Sequence, residues 1–116
     1  MLTIRISNLR LRTYIGFNED ELEKRQDVVV NVRFDYLAEK AADSDDVEYA
    51  VNYKTVTKQI ITLVESNKFL LLEKLTTEVL DLVMENPLIK YADVQVEKPH
   101  ALRFADSVSA SLSANR

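Results

Sequence analysis

The side chains of this chain that can transfer protons are its lysines, tyrosines, carboxylates and one histidine, His100, because cysteine is absent. Lys98 is the first candidate, since it follows Ala92, Val94 and Val96 at the end of an alternating apolar stripe. Partial desolvation there would favour the neutral amine and supply a general base near pH 7. The alternative is a lysine that snorkels from a strand end into water. Position alone leaves both interpretations open.

Three further residues have types suited to catalysis or binding, and each also has an ordinary structural explanation. Glu73 lies in the first turn of a predicted helix, where its charge suits the helix dipole. Tyr53 begins the preceding predicted helix, as an aromatic residue packed on a sheet would. Glu21 stands in a charged run that is typical of a solvated turn. Spacing alone therefore leaves the function open.

Composition argues against several classes of site. Fifteen Lys and Arg against nineteen Asp and Glu give a net charge of −4, the wrong sign for a nucleic-acid-binding protein. One histidine and no cysteine are too few ligands for zinc, haem or iron–sulfur, so we expect neither a metal nor a cofactor. Gly16 is the only glycine, which excludes Walker-type and dinucleotide loops. A hydrolytic triad of His100, Asp106 and Ser107 lacks a nucleophile elbow.

Two periodicities predict the elements that must position these residues. Alternation of apolar and polar residues predicts four strands, in the second of which Val28, Val30, Val32 and Phe34 share a face. Apolar residues at helical spacing predict two amphipathic helices, the second ended by Pro87. The strands cover about 2–13, 26–37, 88–97 and 107–114, and the helices 53–67 and 72–86.

The acidic segment 38–48 resembles a calcium-binding loop in the spacing of its carboxylates. Such a loop needs glycine at its sixth position, where this chain has Glu48, so we expect a solvated connection instead.

The order β-β-α-α-β-β predicts an α+β fold, in which two helices cover one face of an antiparallel sheet. A length of 116 residues predicts one domain over 1–116. The N-terminus lacks a signal peptide and no apolar run could span a bilayer, so we expect a cytoplasmic protein without a membrane partner. Unpaired edge strands predict self-association.

Four short motifs, in this order, resemble the dihydroneopterin aldolase family, and the resemblance covers nearly the whole chain. Each is weak alone, but the four at these separations are specific. The resemblance implies the tunnelling fold (T-fold), no cofactor, and a homo-oligomer of tetrameric rings stacked into an octamer, with sites between subunits. The motifs are Gly16-x4-Glu21-x4-Gln26, Val51-Asn52-Tyr53, Leu71-Leu72-Glu73 and Lys98-Pro99.

The resemblance also implies a role for each matching residue. Glu73 would receive the amino-pyrimidine edge of a pterin, because one carboxylate accepts two parallel N–H bonds. Lys98 would be the general base and Glu21 would orient it. Tyr53, supplied by the neighbouring subunit, would handle the returning proton. Two apolar residues would line the slot for the pterin ring, Val51 and Leu72.

Two segments, 9–13 and 100–109, look like the dihydroneopterin triphosphate 2'-epimerase branch of this family. Aldolases commonly have glycine or proline after the Lys-Pro pair, where this chain has His100. The resemblance therefore implies metal-free epimerisation at C2' of 7,8-dihydroneopterin triphosphate, giving 7,8-dihydromonapterin triphosphate. The alternatives are an aldolase that releases 6-hydroxymethyl-7,8-dihydropterin and glycolaldehyde, and a non-catalytic ring-forming pterin-binding protein.

Selection of the triphosphate is predicted to involve His100 and Arg103, which follow Lys98 by two and five residues. Arg12 is a third candidate. A planar guanidinium suits this role because it can bond phosphate oxygens bidentately. The alternative is that Arg103 pairs with Asp106 while His100 packs against the loop.

Overall fold

The computed structural model describes residues Met1–Arg116 and contains a five-stranded sheet in the order β3-β1-β2-β4-β5. The long strands pair antiparallel, whereas the two-residue β3 pairs parallel with the end of β1. This arrangement confirms the α+β fold with its mainly antiparallel sheet. The strands are β1 (Leu2–Ile15), β2 (Gln26–Tyr36), β3 (Lys68–Phe69), β4 (Ile89–Lys98) and β5 (Val108–Asn115).

A bulge divides β1 into two halves. The register against β2 shifts between Ile6 and Leu9, where Asn8 adopts a φ of 55°. Asparagine tolerates this left-handed conformation, and the Asn8 N–H donates to the Asn31 side chain at 2.8 Å. The bulge changes which side chains of β1 face the helices. Before it these are the even-numbered residues, and after it they are the odd-numbered residues, such as Leu11.

Two long helices cover one face of the sheet, as the periodicity predicted. The Asn52 side chain caps the first of them by accepting from the Lys54 and Thr55 N–H groups at 3.0 and 3.4 Å. None of the helices is both long and apolar enough to cross a membrane. The helices are α1 (Glu19–Glu23), α2 (Glu39–Ser44), α3 (Tyr53–Glu65) and α4 (Leu72–Met84), with a 3₁₀ turn at Val47–Tyr49.

The core lies between this helical layer and the sheet. Val28, Val30, Val32 and Phe34 are almost fully buried, which confirms the predicted inner face of β2. The helices contribute core residues at helical spacing, and β4 contributes the apolar stripe that ends before Lys98. The helical contributions are Val56, Ile60 and Val64 of α3 and Leu75, Val79, Leu80 and Val83 of α4.

The opposite face of the sheet has no helical layer and is polar. Asp35 accepts a hydrogen bond from the Thr3 hydroxyl at 2.6 Å and forms an ion pair with Arg33 at 3.1 Å. The hydrogen bond from Thr3, followed by the interactions with Arg33, lowers the pKa of Asp35. The Arg33 guanidinium also lies 5.2 Å from the centre of the Tyr91 ring. These contacts join the three central strands on that face.

The structure differs from the predicted element order in three short elements. The strand β3 and the helices α1 and α2 were not predicted, and the acidic segment 38–48 is partly helical rather than an irregular connection. Elements of two to six residues are too short to show a periodic apolar stripe. They form because the long elements bring their partners close, as when β3 pairs with the end of β1.

Candidate active site

The proposed base and its orienting carboxylate lie together in the structure. Lys98 is the last residue of β4, and its Nζ donates to Oε2 of Glu21 across 2.8 Å. The two side chains are 12% and 20% exposed. Lys98 therefore does not snorkel into solvent, because it contacts the carboxylate that the resemblance implied would orient it, and the alternative of a solvated turn does not hold for Glu21.

The Glu21 carboxylate is held by three groups of its own chain. Besides Lys98, it accepts from the Asn18 N–H at 3.4 Å and from the Gln26 amide at 3.3 Å. The Gln26 amide also donates to the carbonyl oxygen of Ile15 at 2.6 Å, which ties the carboxylate to the end of β1. The hydrogen bond from Lys98 is the main reason that the pKa of Glu21 is lowered, against the opposing effect of burial.

Gly16 provides the space for this carboxylate. Its φ is +128°, a conformation that L side chains rarely adopt. A Cβ at this position would lie within 3.0 Å of the carboxylate atoms of Glu21, closer than real Cβ atoms approach. The Gly16 N–H donates to the Phe69 carbonyl at 2.9 Å, so the same residue also joins the end of β1 to β3. Glycine is therefore required at this position of the motif, because a side chain would clash with the Glu21 carboxylate.

The beginning of α4 lies at this end of the sheet. Phe69 pairs with Ile15, and α4 begins three residues later at Leu72. The Glu73 backbone carbonyl accepts from the Thr77 hydroxyl at 2.8 Å, but its exposed carboxylate has no partner within the chain. Leu72 is half-buried against the core. An exposed carboxylate without a partner therefore lies four residues after Phe69, which pairs with the end of β1 where Gly16 leaves room for Glu21.

Val51 and Tyr53 lie at the opposite end of the molecule. The end of α3 contacts β1 beside the candidate site, where Glu65 accepts from the Arg12 N–H at 3.1 Å. Tyr53 begins α3, and thirteen helical residues span roughly 20 Å. Tyr53 is 52% exposed, while Val51 is only 3% exposed within this chain. One chain therefore does not bring Tyr53 to Lys98.

The loop between β4 and β5 carries the residues predicted to bind phosphate. His100 is exposed and lines a cleft with Arg10 and Arg12. The Arg103 guanidinium lies 5.5 Å from the centre of the Phe104 ring and forms no ion pair with Asp106. The predicted alternative, an Arg103–Asp106 pair, is therefore absent.

With this geometry established, comparison with known proteins identifies the family. The sequence profile described as FolB, dihydroneopterin aldolase, matches residues 4–113. The chain belongs to the dihydroneopterin aldolase family. The resemblance of the four motifs is thereby confirmed at the level of the whole chain.

Within the dihydroneopterin aldolase family, the chain is more similar to proteins named as epimerases than to those named as aldolases. It is 54% identical to the dihydroneopterin triphosphate 2'-epimerase of Pseudomonas aeruginosa, over 100% of this chain and 94% of the relative. It is 57% identical to the protein of the same name from Escherichia coli K12, over 97% and 94% of the two chains. The dihydroneopterin aldolase of Haemophilus influenzae is 33% identical over 89% and 87%.

The fold agrees with that of a solved family member. The crystal structure of Escherichia coli dihydroneopterin aldolase in complex with neopterin superimposes with a TM-score of 0.94, covering 99% of this chain and 100% of that chain at 26% identity. The T-fold implied by the sequence motifs is therefore confirmed.

Sequence reasoning assigned no role to Gln26 and no steric role to Gly16, although both belong to the first motif. In the structure both position Glu21, Gln26 by a hydrogen bond and Gly16 by leaving room. The only sequence signal was the equal spacing of Gly16 and Gln26, each five residues from Glu21. It could not be interpreted without knowing that α1 turns this carboxylate back toward the end of β1.

Proposed function

We propose that this protein is an enzyme that epimerises 7,8-dihydroneopterin triphosphate at C2', giving 7,8-dihydromonapterin triphosphate. The observation that supports this chemistry is the largely buried Lys98–Glu21 pair at the end of β4, because a lysine amine can transfer a proton. The choice of epimerase over aldolase follows the 54–57% identity to relatives named as epimerases, against 33% to an aldolase. We further propose that residues 1–116 form one pterin-binding domain that works in the cytoplasm.

The carbon–hydrogen bond at C2' is not acidic, so direct proton abstraction would not invert this centre. Removal of the proton from the 2'-hydroxyl instead lets its oxygen form a carbonyl while the C1'–C2' bond breaks. The electron pair of that bond moves into the C=N bond of the dihydropterin. The aldehyde fragment then rotates, and C1' adds to its other face, which re-forms the bond with inverted configuration. No oxidant or reductant is consumed in this sequence.

Lys98 accepts the hydroxyl proton in this proposal, and Glu21 orients it. The 2.8 Å hydrogen bond to the Glu21 carboxylate, which lowers the pKa of Glu21, fixes the position of Lys98 Nζ at the end of β4. The amine held there takes the proton of the substrate hydroxyl in this proposal.

Glu73 anchors the pterin. Its carboxylate has no partner within the chain and stands at the N-terminal turn of α4. Such a carboxylate can accept two parallel N–H bonds from the 2-amino and N3 groups of the pterin. Leu72, which follows the same strand end, lines the slot for the ring.

A neighbouring subunit completes the site. Tyr53 begins α3, whose far end lies roughly 20 Å along the helix and contacts β1 beside the candidate site, so Tyr53 can return a proton only to the site of another copy. Unpaired edges at β5 and along most of β1 favour association into a closed ring. We propose tetrameric rings that stack into an octamer, with His100 and Arg103 contacting the substrate's phosphates.

The test is incubation of the purified enzyme with dihydroneopterin triphosphate, followed by chromatographic separation of the two epimers and of 6-hydroxymethyl-7,8-dihydropterin. Accumulation of the monapterin epimer with little cleaved pterin supports the proposal. Stoichiometric release of an aldehyde fragment would make the protein an aldolase instead. The absence of any turnover would leave a pterin-binding ring protein. Lys40→Ala, which changes an exposed lysine of α2 outside the site, is the control variant.

A further inference from the structure

A cleft of about 320 Å³ lies at the same end of the sheet as the candidate site. The basic side chains of Arg10, Arg12 and His100 line it, together with one carboxylate, that of Asp27. In a chain with a net charge of −4, three basic side chains against one acidic side chain make an unusual local balance. The balance favours an anionic ligand with several charges.

The single carboxylate of the cleft is poorly placed to neutralise it. Arg12 Nε and Asp27 Oδ1 are 3.7 Å apart, and the two side chains are 60% and 55% exposed. Exposed ion pairs of this kind contribute little, so a polyvalent anion can displace the carboxylate. The Arg12 guanidinium also donates to the Arg25 carbonyl at 3.1 Å, which holds it at the cleft. Arg12 is thus held at the cleft, with one exposed carboxylate, that of Asp27, as its ion-pair partner.

The cleft adjoins the proposed base. Pro99 and His100 line it and directly follow Lys98, so His100 lies within roughly 7 Å of Lys98 along the chain. Arg12 pairs with Asp27 across β1 and β2, and Val29 of β2 pairs with Glu97, the residue before Lys98. The three strand ends therefore put the cleft and Lys98 at the same end of the sheet, with Arg10 and Arg12 on the face away from the helices and Lys98 on the helical face. The side chain of the substrate would reach the cleft around the strand ends.

We propose that this cleft, through Arg10, Arg12 and His100, binds the polyphosphate chain of the substrate while Lys98 acts at the 2'-hydroxyl, an inference that rests on the function proposed above. Two guanidinium groups supply planar donors to phosphate oxygens, and an imidazole N–H supplies a further donor in either protonation state. The cleft receives the side chain of the substrate after it leaves the pterin slot. Selectivity for the triphosphate then resides in the end of β1 as well as in the loop after Lys98.

The test uses the assembled enzyme and measures binding of inorganic tripolyphosphate by titration calorimetry, independently of turnover. Arg10→Gln and Arg12→Gln are each expected to weaken this binding about tenfold, which corresponds to about 1.4 kcal/mol. Asp27→Asn is expected to strengthen it, because it removes the competing carboxylate. Arg5→Gln is the matched control, since it removes the same charge from the same strand outside the cleft.

A second measurement connects the cleft to the substrate. The ratio of kcat/KM for dihydroneopterin triphosphate to that for dihydroneopterin is expected to fall about tenfold in Arg12→Gln and to stay constant in Arg5→Gln. Equal binding of tripolyphosphate by Arg12→Gln and Arg5→Gln would overturn the inference, as would an unchanged ratio. If the wild-type enzyme turns over neither substrate, the proposed function fails, and the loss of tripolyphosphate binding alone decides whether the cleft binds anions.

Discussion

Replacement of Gly16 by alanine tests the steric basis of the site most directly. The added Cβ would lie within 3.0 Å of the Glu21 carboxylate, in a backbone conformation with φ of +128° that alanine rarely adopts. The flexible end of Glu21 can retreat more easily than the backbone can. To reach ordinary van der Waals contact the carboxylate must move by roughly 1 Å. The 2.8 Å hydrogen bond between Lys98 and Glu21 then breaks or reorganises.

Two magnitudes follow from Gly16→Ala. Backbone strain in a rarely populated region costs about 1–3 kcal/mol. For a domain of this size each kcal/mol lowers the Tm by about 4 °C, so we expect a decrease of about 4–12 °C. A displacement of roughly 1 Å at a catalytic group lowers the rate by about 10²-fold. The rate should therefore fall far more than the fraction of folded enzyme does.

The assay compares Gly16→Ala in the wild-type chain and in a Glu21→Ala background. Tm is measured by thermal denaturation and kcat by separation of the epimers at a temperature where all variants are folded. Without the Glu21 carboxylate the Cβ loses its three nearest neighbours, so in the second background the backbone strain is the main remaining effect. The substitution should then lower Tm but cause no further loss of kcat, which makes the two changes strongly non-additive in rate.

Two results would refute this reasoning. Full activity of Gly16→Ala would show that the carboxylate tolerates the added carbon without losing its contact with Lys98. An equal additional loss of kcat in the Glu21→Ala background would show that the substitution acts through the backbone alone.

Four further outcomes are expected. Lys98→Ala should lower the rates of epimerisation and cleavage by about 10²–10⁴-fold and leave pterin binding largely unchanged. Glu73→Ala should chiefly weaken pterin binding, as measured by fluorescence titration. A Lys98→Ala enzyme with a near-normal rate would contradict the assignment of Lys98 as the base. Gln26→Leu should lower kcat more than it raises KM, because it frees Glu21 without touching the pterin anchor, and an unchanged kcat would remove Gln26 from the site. Sedimentation at micromolar concentration should give a closed oligomer, and an active monomer would contradict completion of the site by Tyr53 of another copy. The pKa of Glu21 is lowered from 4.5, so its ionised form stabilises the fold above that pH, and this contribution is lost as pH falls through the lowered value. The free energy of unfolding in urea should therefore depend less on acid pH in Glu21→Gln than in the wild type. An unchanged dependence would argue against the ion pair.

The long elements could be predicted from the sequence because each shows its own periodicity. The inner face of β2 and the apolar stripes of α3 and α4 lie where alternation and helical spacing put them. The predicted ends of these elements are within about two residues of the observed ones, because Asn52 and Pro87 supply local start and stop signals. Local chemistry was sufficient for this part of the fold.

The bulge in β1 and the two-residue β3 could not be predicted in this way. The bulge depends on Asn31 of another strand accepting from the Asn8 N–H, and β3 exists only because β1 lies beside it. Neither interaction leaves a periodic signal in its own segment. Both nevertheless affect the site, since the bulge sets which β1 residues face the helices and β3 connects Gly16 to the start of α4.

The sequence determined which residue types are available for chemistry, and its motifs implied their roles. Only the tertiary structure showed that Glu21 and Lys98, 77 residues apart, form one pair, and that Tyr53 lies too far away to join them in the same chain. The physical reason is the sequence separation of the residues that interact. Secondary structure follows from interactions between residues close in sequence, whereas a site requires side chains from several elements within hydrogen-bonding distance, and that distance is set by how the sheet and helices pack.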